Sequence, residues 1–161
     1  MLTKIKRTKT KSAKRHFAIV ASKYNQAYVD SMLEAARRVL TDAGARAVEV
    51  IRVPGAFEIP AVAATLAQSR KPKFAAILCL GVIIRGATTH AQNIAEAVSQ
   101  ALVQIQVNWQ VPVIHEVLLL ENKEQADERC LNRDHNRGAE AAYTALEMAQ
   151  IMADLPLPNR R

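Results

Sequence analysis

Cysteine is scarce: the 161 residues hold two, Cys79 and Cys130, beside five glycines and 4% aromatic residues. Two thiols are too few for the disulfide framework of a small secreted scaffold, and the cytosol is the expected compartment. Long apolar runs are also missing. The longest, Phe74 to Ile84, stops at Arg85, well short of the ~20 residues a membrane span needs. The N-terminus is basic with no apolar segment behind it, so it does not read as a secretory signal. Neither a Walker pattern nor G-x-G-x-x-G occurs, so neither a nucleoside triphosphate nor a dinucleotide is indicated. His16, His115 and His135 have no cysteine or carboxylate at metal-ligand spacing, and no metal site is expected.

What is present is a composition typical of one globular domain. Half the residues are apolar and 23% are charged. A chain of this length buries roughly 70% of its unfolded surface and needs no covalent staple. The net charge of +7 is unevenly spread. Residues 1–15 carry Lys4, Lys6, Arg7, Lys9, Lys11, Lys14 and Arg15 and no acid, whereas residues 16–161 hold 15 basic and 15 acidic side chains. The first 15 residues therefore read as a flexible basic arm, followed by a single neutral domain over residues 16–161. The arm is either a solvated tail or a binder of RNA, phosphates or acidic partners. It contains no aromatic ring for base stacking, and nucleic acid is not the expected partner.

Past the arm, strand-like and helix-like periods alternate. His16–Ser22 is a short apolar run fit for a buried strand. Val29, Met32, Leu33, Ala36, Val39 and Leu40 recur at helical spacing, with Gly44 as a C-terminal cap. Ala47–Val53 reads as a second strand, then a short helix spans Ile59 to Ala67, and a third strand spans Phe74–Leu80. Thr88-Thr89 can cap a helix whose stripe is Ile94, Val98, Ala101, Leu102, Ile105 and Trp109. Val111–Leu120 is a fourth strand, with helices expected over Lys123–Cys130 and Gly138–Met152. Strands apolar on both faces and separated by helices predict a four-stranded parallel sheet between helical layers, an α/β three-layer sandwich. Such sheets bind ligands beyond the carboxyl ends of their strands. That rule selects Ser22–Asn25, Pro54–Glu58, Gly81–His90 and Leu118–Arg129.

These segments hold the chemically versatile residues. The amides from Gly86 to Thr89 open a helix and can face an anion, with Arg85 either joining them or facing solvent. His90, at the start of that helix, is either a structural residue or a proton shuttle near neutral pH. Glu58 either complements a helix dipole or accepts hydrogen bonds from a polyol or amine. Tyr24 and Asn25 either cover a flat ring or make an ordinary aromatic contact and a helix cap. Arg129 either clamps a phosphate or pairs with Glu124, Asp127 or Glu128.

VPGAFEIP at 53–60, LGVIIRGATTH at 80–90, ENKEQADER at 121–129 and NRGAEAA at 136–142 resemble, in order and spacing, the lumazine synthase family of riboflavin biosynthesis. The likeness runs from about His16 to Met152. It implies a flavodoxin-like fold and a homo-oligomer built from pentamers, with active sites between subunits; riboflavin synthase is a potential associate. It implies a transferase that joins 5-amino-6-(D-ribitylamino)uracil to 3,4-dihydroxy-2-butanone 4-phosphate without a cofactor. By motif match, Tyr24 would stack on the pyrimidine beside Asn25. Ala56, Phe57 and Glu58 would hold the ribityl chain, and the backbone of Val82, Ile83 and Ile84 would read the uracil edge. Gly86, Ala87, Thr88 and Arg129 would hold the phosphate, His90 would move protons, and Arg137 takes the usual lysine position near the ribityl chain.

Departures from the family pattern bear on affinity. Ala91-Gln92-Asn93 stand where many members have an aromatic residue and an acid, and Leu119 and Leu120 replace more polar residues. His115-Glu116 replace a Phe-Gly pair whose aromatic covers the ring from the adjacent subunit. An imidazole buries less apolar area, so weaker substrate binding is expected. The alternative is a weakly active or inactive flavin- or lumazine-binding shell protein of the same fold. Pentamer, decamer and sixty-subunit capsid all remain open from sequence.

Overall fold

The computed structural model describes residues 10–156. Strands β1 (His16–Ser22), β2 (Ala47–Val53), β3 (Phe74–Ile84) and β4 (Val113–Leu120) form one sheet in the order β2-β1-β3-β4, all parallel. Helices α1 (Gln26–Asp42) and α5 (Arg137–Asp154) cover one face, and α2 (Ile59–Ala67) and α3 (His90–Trp109) cover the other. A single turn, α4 (Lys123–Ala126), follows β4. This is the flavodoxin-like three-layer architecture.

The central strand shows why the sequence runs apolar. Phe17, Ile19 and Ala21 of β1 enter the core with α1 and α5, while Ala18 and Val20 enter the core with α2 and α3. A strand buried on both faces has no polar side, so period-2 alternation disappears. On the edge strand β2, by contrast, Glu49 and Val50 are exposed.

Several boundaries differ from the sequence expectation for identifiable reasons. β3 does not end at Leu80 but runs to Ile84. Its pairing with β1 stops at Ala21–Leu80, yet β4 continues to pair with it through Ile84–Leu120. Gly81, placed by sequence after the strand, instead permits close packing inside it. An added Cβ there would lie 3.2 Å from Val117 Cγ1 and 3.3 Å from Ile59 Cδ1. β4 starts at Val113 rather than Val111, since Pro112 has no N–H to give the ladder. The helix expected over Lys123–Cys130 widens after α4 into a π-helical turn, Asp127–Leu131, closed by the Asn132 N–H donating to Asp127 O at 3.1 Å. Trp109, assigned to the buried stripe of α3, is 46% exposed at its last turn.

The arm expected to end at residue 15 is packed at its end. Ser12 is fully buried and donates its N–H to Ala43 O, and the Arg46 N–H donates to Arg15 O. Residues 1–9 of that arm lie outside the described residues. Among the described residues no helix is long and apolar enough to cross a membrane.

Candidate active site

The sheet order changes direction at β1, whose chain leads outward to β2 while β3 lies on its other side. The crevice beyond the carboxyl ends of β1 and β3 is therefore the expected ligand position. A cleft of about 850 Å³ opens there, lined by residues that include Tyr24, Phe57, Glu58, Gly86, Thr88 and His90. Ala56 and the β3 residues Val82, Ile83 and Ile84 complete the predicted members of its wall.

Each wall has a local cause. Asn25 adopts a left-handed conformation (φ 55°), which asparagine tolerates better than most residues, and its Nδ2 donates to Val82 O at 2.8 Å. That bond ties the β1 loop to β3 across the switch point and leaves Tyr24 72% exposed at the cleft rim. After β2, the chain makes a 3-10 turn over Ala56–Glu58, closed by the Gly55 N–H donating to Glu58 Oε2 at 2.9 Å. Phe57 stands 61% exposed on that turn. Exposed aromatics beside a concave surface are suited to covering a planar ligand.

Because β3 outruns β1, its backbone from Gly81 to Ile84 has no strand partner on the β1 side. Val82 O is taken by Asn25, and the remaining edge is available to the donors and acceptors of a heterocycle. Beyond it, residues 85–90 are exposed and lead into the 20-residue helix α3. The His90 N–H donates to Thr88 Oγ1 at 3.4 Å, so Thr88 caps this end and Thr89 makes no side-chain cap bond. Gly86, Thr88 and His90 meet at the positive end of a long helix dipole, which favours an anion. Ala87 lies in the same exposed loop without lining the cleft. Arg85 does not join: its guanidinium donates to Glu121 Oε1 and Gln92 Oε1, both at 3.0 Å.

Three predicted site residues lie elsewhere in the same chain. His115 projects from β4 beside Ser99 on α3. Along α3, His90, Asn93, Ile94 and Ala97 line the cleft, whereas Ser99 lies on the opposite side of the helix. His115 is thus separated from the protomer's own cleft by α3. Arg137, at the start of α5, grips Glu116 with two parallel bonds of 3.0 Å and Glu140 with a third of 2.6 Å. Burial pushes the Glu116 carboxyl up to about 7, against the pull of Arg137. Arg129 sits half-buried on the π-helical turn, close enough to Glu116 to favour its charged form.

The sequence profile of the 6,7-dimethyl-8-ribityllumazine synthase family matches residues 14–153. The chain belongs to this family. The 6,7-dimethyl-8-ribityllumazine synthase of Stenotrophomonas maltophilia (strain R551-3) is 42% identical over 142 residues, covering 87% of this chain and 90% of its own. That of Xylella fastidiosa (strain 9a5c) is 40% identical over the same length, covering 87% and 91%.

Within this lumazine synthase family member, Ala91 and Asn93, which the sequence marked as bearing on affinity, line the cleft. Ile94 and Ala97 line it as well and were missed; only the helical spacing from His90 could have signalled them. The Glu116–Arg137 pair was also missed, since pairing between β4 and α5 is invisible to local pattern, and so was the i,i+3 pair of Arg137 with Glu140 within α5. Both thiols are free and buried, and burial pushes Cys130 up to about 12 and raises Cys79 as well, which disfavours the thiolate form.

Proposed function

We propose that the protein condenses 5-amino-6-(D-ribitylamino)uracil with 3,4-dihydroxy-2-butanone 4-phosphate to give 6,7-dimethyl-8-ribityllumazine, phosphate and water. The observation that carries this reading is the convergence of Tyr24, Glu58, Gly86 and His90, from the ends of β1, β2 and β3, on one cleft. Tyr24 stacks on the pyrimidine, with Asn25 setting its loop. The free edge of β3 reads the uracil, and Ala56, Phe57 and Glu58 hold the ribityl hydroxyls. The phosphate lies against Gly86 and Thr88 at the α3 N-terminus, with Ala87 in the loop between them. The 5-amino group attacks the ketone and expels one water to form an imine, phosphate is eliminated, the ribitylamino nitrogen closes the ring onto the carbonyl this leaves, and a second water departs, with His90 exchanging protons at these steps. Holding two reactive molecules in register supplies up to roughly 7–11 kcal/mol, and proton transfer adds about 10²–10⁴-fold. The sequence thus offers no metal or nucleophile constellation because positioning supplies most of the rate.

The site is shared between copies. His115, Arg129 and Arg137 fall outside the protomer's own cleft, which supports their delivery to the cleft of a neighbour in a pentamer-based assembly. There Arg129 completes the phosphate site, His115 covers the ring, and Arg137 lies near the ribityl chain. Two free, buried thiols suit a cytoplasmic location. No observation favours a non-catalytic shell protein. The test is to mix both purified substrates with the protein and follow lumazine fluorescence. Product forming well above the spontaneous background is expected; none above it overturns the assignment.

A further inference from the structure

A histidine in the ring-covering position brings two things a phenylalanine lacks: ring nitrogens that need partners and a titratable charge. Both nitrogens are engaged here. The Val117 N–H lies 3.2 Å from His115 Nδ1, and Ser99 Oγ lies 2.7 Å from Nε2. Ser99 Oγ is also 2.7 Å from Ala95 O, which can only accept. The single hydroxyl proton of Ser99 therefore goes to Ala95, and its oxygen must accept from Nε2–H. An amide N–H aimed at Nδ1 in turn requires that nitrogen to be bare. Both ends demand the same tautomer, and the donors run in one direction: Val117 N–H to His115, His115 to Ser99, Ser99 to Ala95.

We propose that Ser99 is a positioning residue for pyrimidine binding: it fixes the plane and the neutral Nε2–H tautomer of His115, so that a pre-oriented imidazole is offered to the neighbouring copy's cleft. This rests on the reading that His115 covers the ring across the subunit boundary. The reason is entropic and electrostatic. An imidazole is smaller than a phenyl ring and gains less from packing, so it holds its plane only if something else removes its torsional freedom. A ring kept neutral also avoids burying an unpaired charge when it closes over an uncharged heterocycle. Although His115 is exposed on the isolated protomer, desolvation by the protein atoms around its ring holds the imidazole below its ordinary range, in the same sense.

The test uses the assembled enzyme and separate Michaelis constants for the two substrates. Ser99→Ala is expected to raise KM for the pyrimidine about five- to tenfold, the worth of one neutral hydrogen bond, while kcat and KM for the butanone phosphate stay within about twofold. Ser99→Thr keeps the hydroxyl and restores the wild-type values. In a His115→Phe background the Ser99→Ala change has nothing to release and leaves KM unaltered. If His115→Ala raises the pyrimidine KM but Ser99→Ala does not, Ser99 has no positioning role. A uniform loss from Ser99→Ala, equal with and without His115→Phe, makes it merely structural and also overturns the proposal. If His115→Ala itself leaves the pyrimidine KM unchanged, the covering role fails first, and the two failures are distinguished.

Discussion

At Gly86 an added Cβ would meet no protein atom within 4 Å, and the backbone there does not require glycine. Packing thus gives no reason for a glycine at the mouth of α3. What remains is the close approach of a ligand to the main chain. Gly86→Ala should leave the melting temperature unchanged or slightly higher, since it narrows the unfolded ensemble. Its KM for the butanone phosphate should rise by roughly an order of magnitude, the effect of losing about one charge-assisted hydrogen bond. An unchanged KM with an intact fold would place the phosphate elsewhere. Glu58 and His90 show how legible single residues were. Both were selected by the strand-end rule, and both line the predicted cleft. Arg137 was placed from its motif, and its bond to Glu140 is a local i,i+3 helix pair, but its two bonds to Glu116 depend on which face of β4 that carboxylate takes, and no local pattern encodes that.

Where elements cross, two features dominate. Helix α5 approaches α1 so closely that a Cβ on Gly138 would lie 2.0 Å from Met32 O. Backbone cannot yield as a flexible side chain can. Gly138→Ala should therefore cost more than about 3 kcal/mol, beyond the usual overpacking range, and show as a large drop in the denaturation midpoint. A loss under 1 kcal/mol would mean the helices part freely. The second feature joins β4 to α5 through Glu116. Its carboxyl is raised from 4.5 to about 7, so between those values the folded state holds a proton that the unfolded state releases. The stability this contributes is complete below pH 4.5 and is lost as pH rises through about 7. Against Glu116→Gln, which cannot titrate, the wild-type Tm should fall across that window. Parallel curves for the two proteins would sink the account.

For the whole molecule, the decisive arrangement is that α3 stands between the cleft and His115, while Arg129 and Arg137 lie outside the cleft lining. A site shared across a repeated interface makes a specific demand. If the site is shared, His90→Ala and Arg129→Ala assemblies should each lose most activity at limiting substrate, yet dissociating and reassembling them together should restore part of it. Random mixing leaves about a quarter of the interfaces intact on both sides, as expected for a head-to-tail ring contact. No recovery in mixed oligomers confirmed by sedimentation would confine His90 and Arg129 to one subunit.

The order of periods along the chain settled the parallel sheet, its two helical layers and the strand ends that border the cleft, because burial on both faces leaves its mark directly in composition. Sequence also carried the motifs that place the chain in its family. It was silent on the extension of β3 past β1, on the π-helical turn under Arg129, and on the partners of His115 and Glu116. Those depend on register and on which face each residue meets across space, and they exist only once strands and helices have packed. The unpaired edge of β3 that faces the cleft is one such product of packing: the same residues in isolation are simply an apolar run.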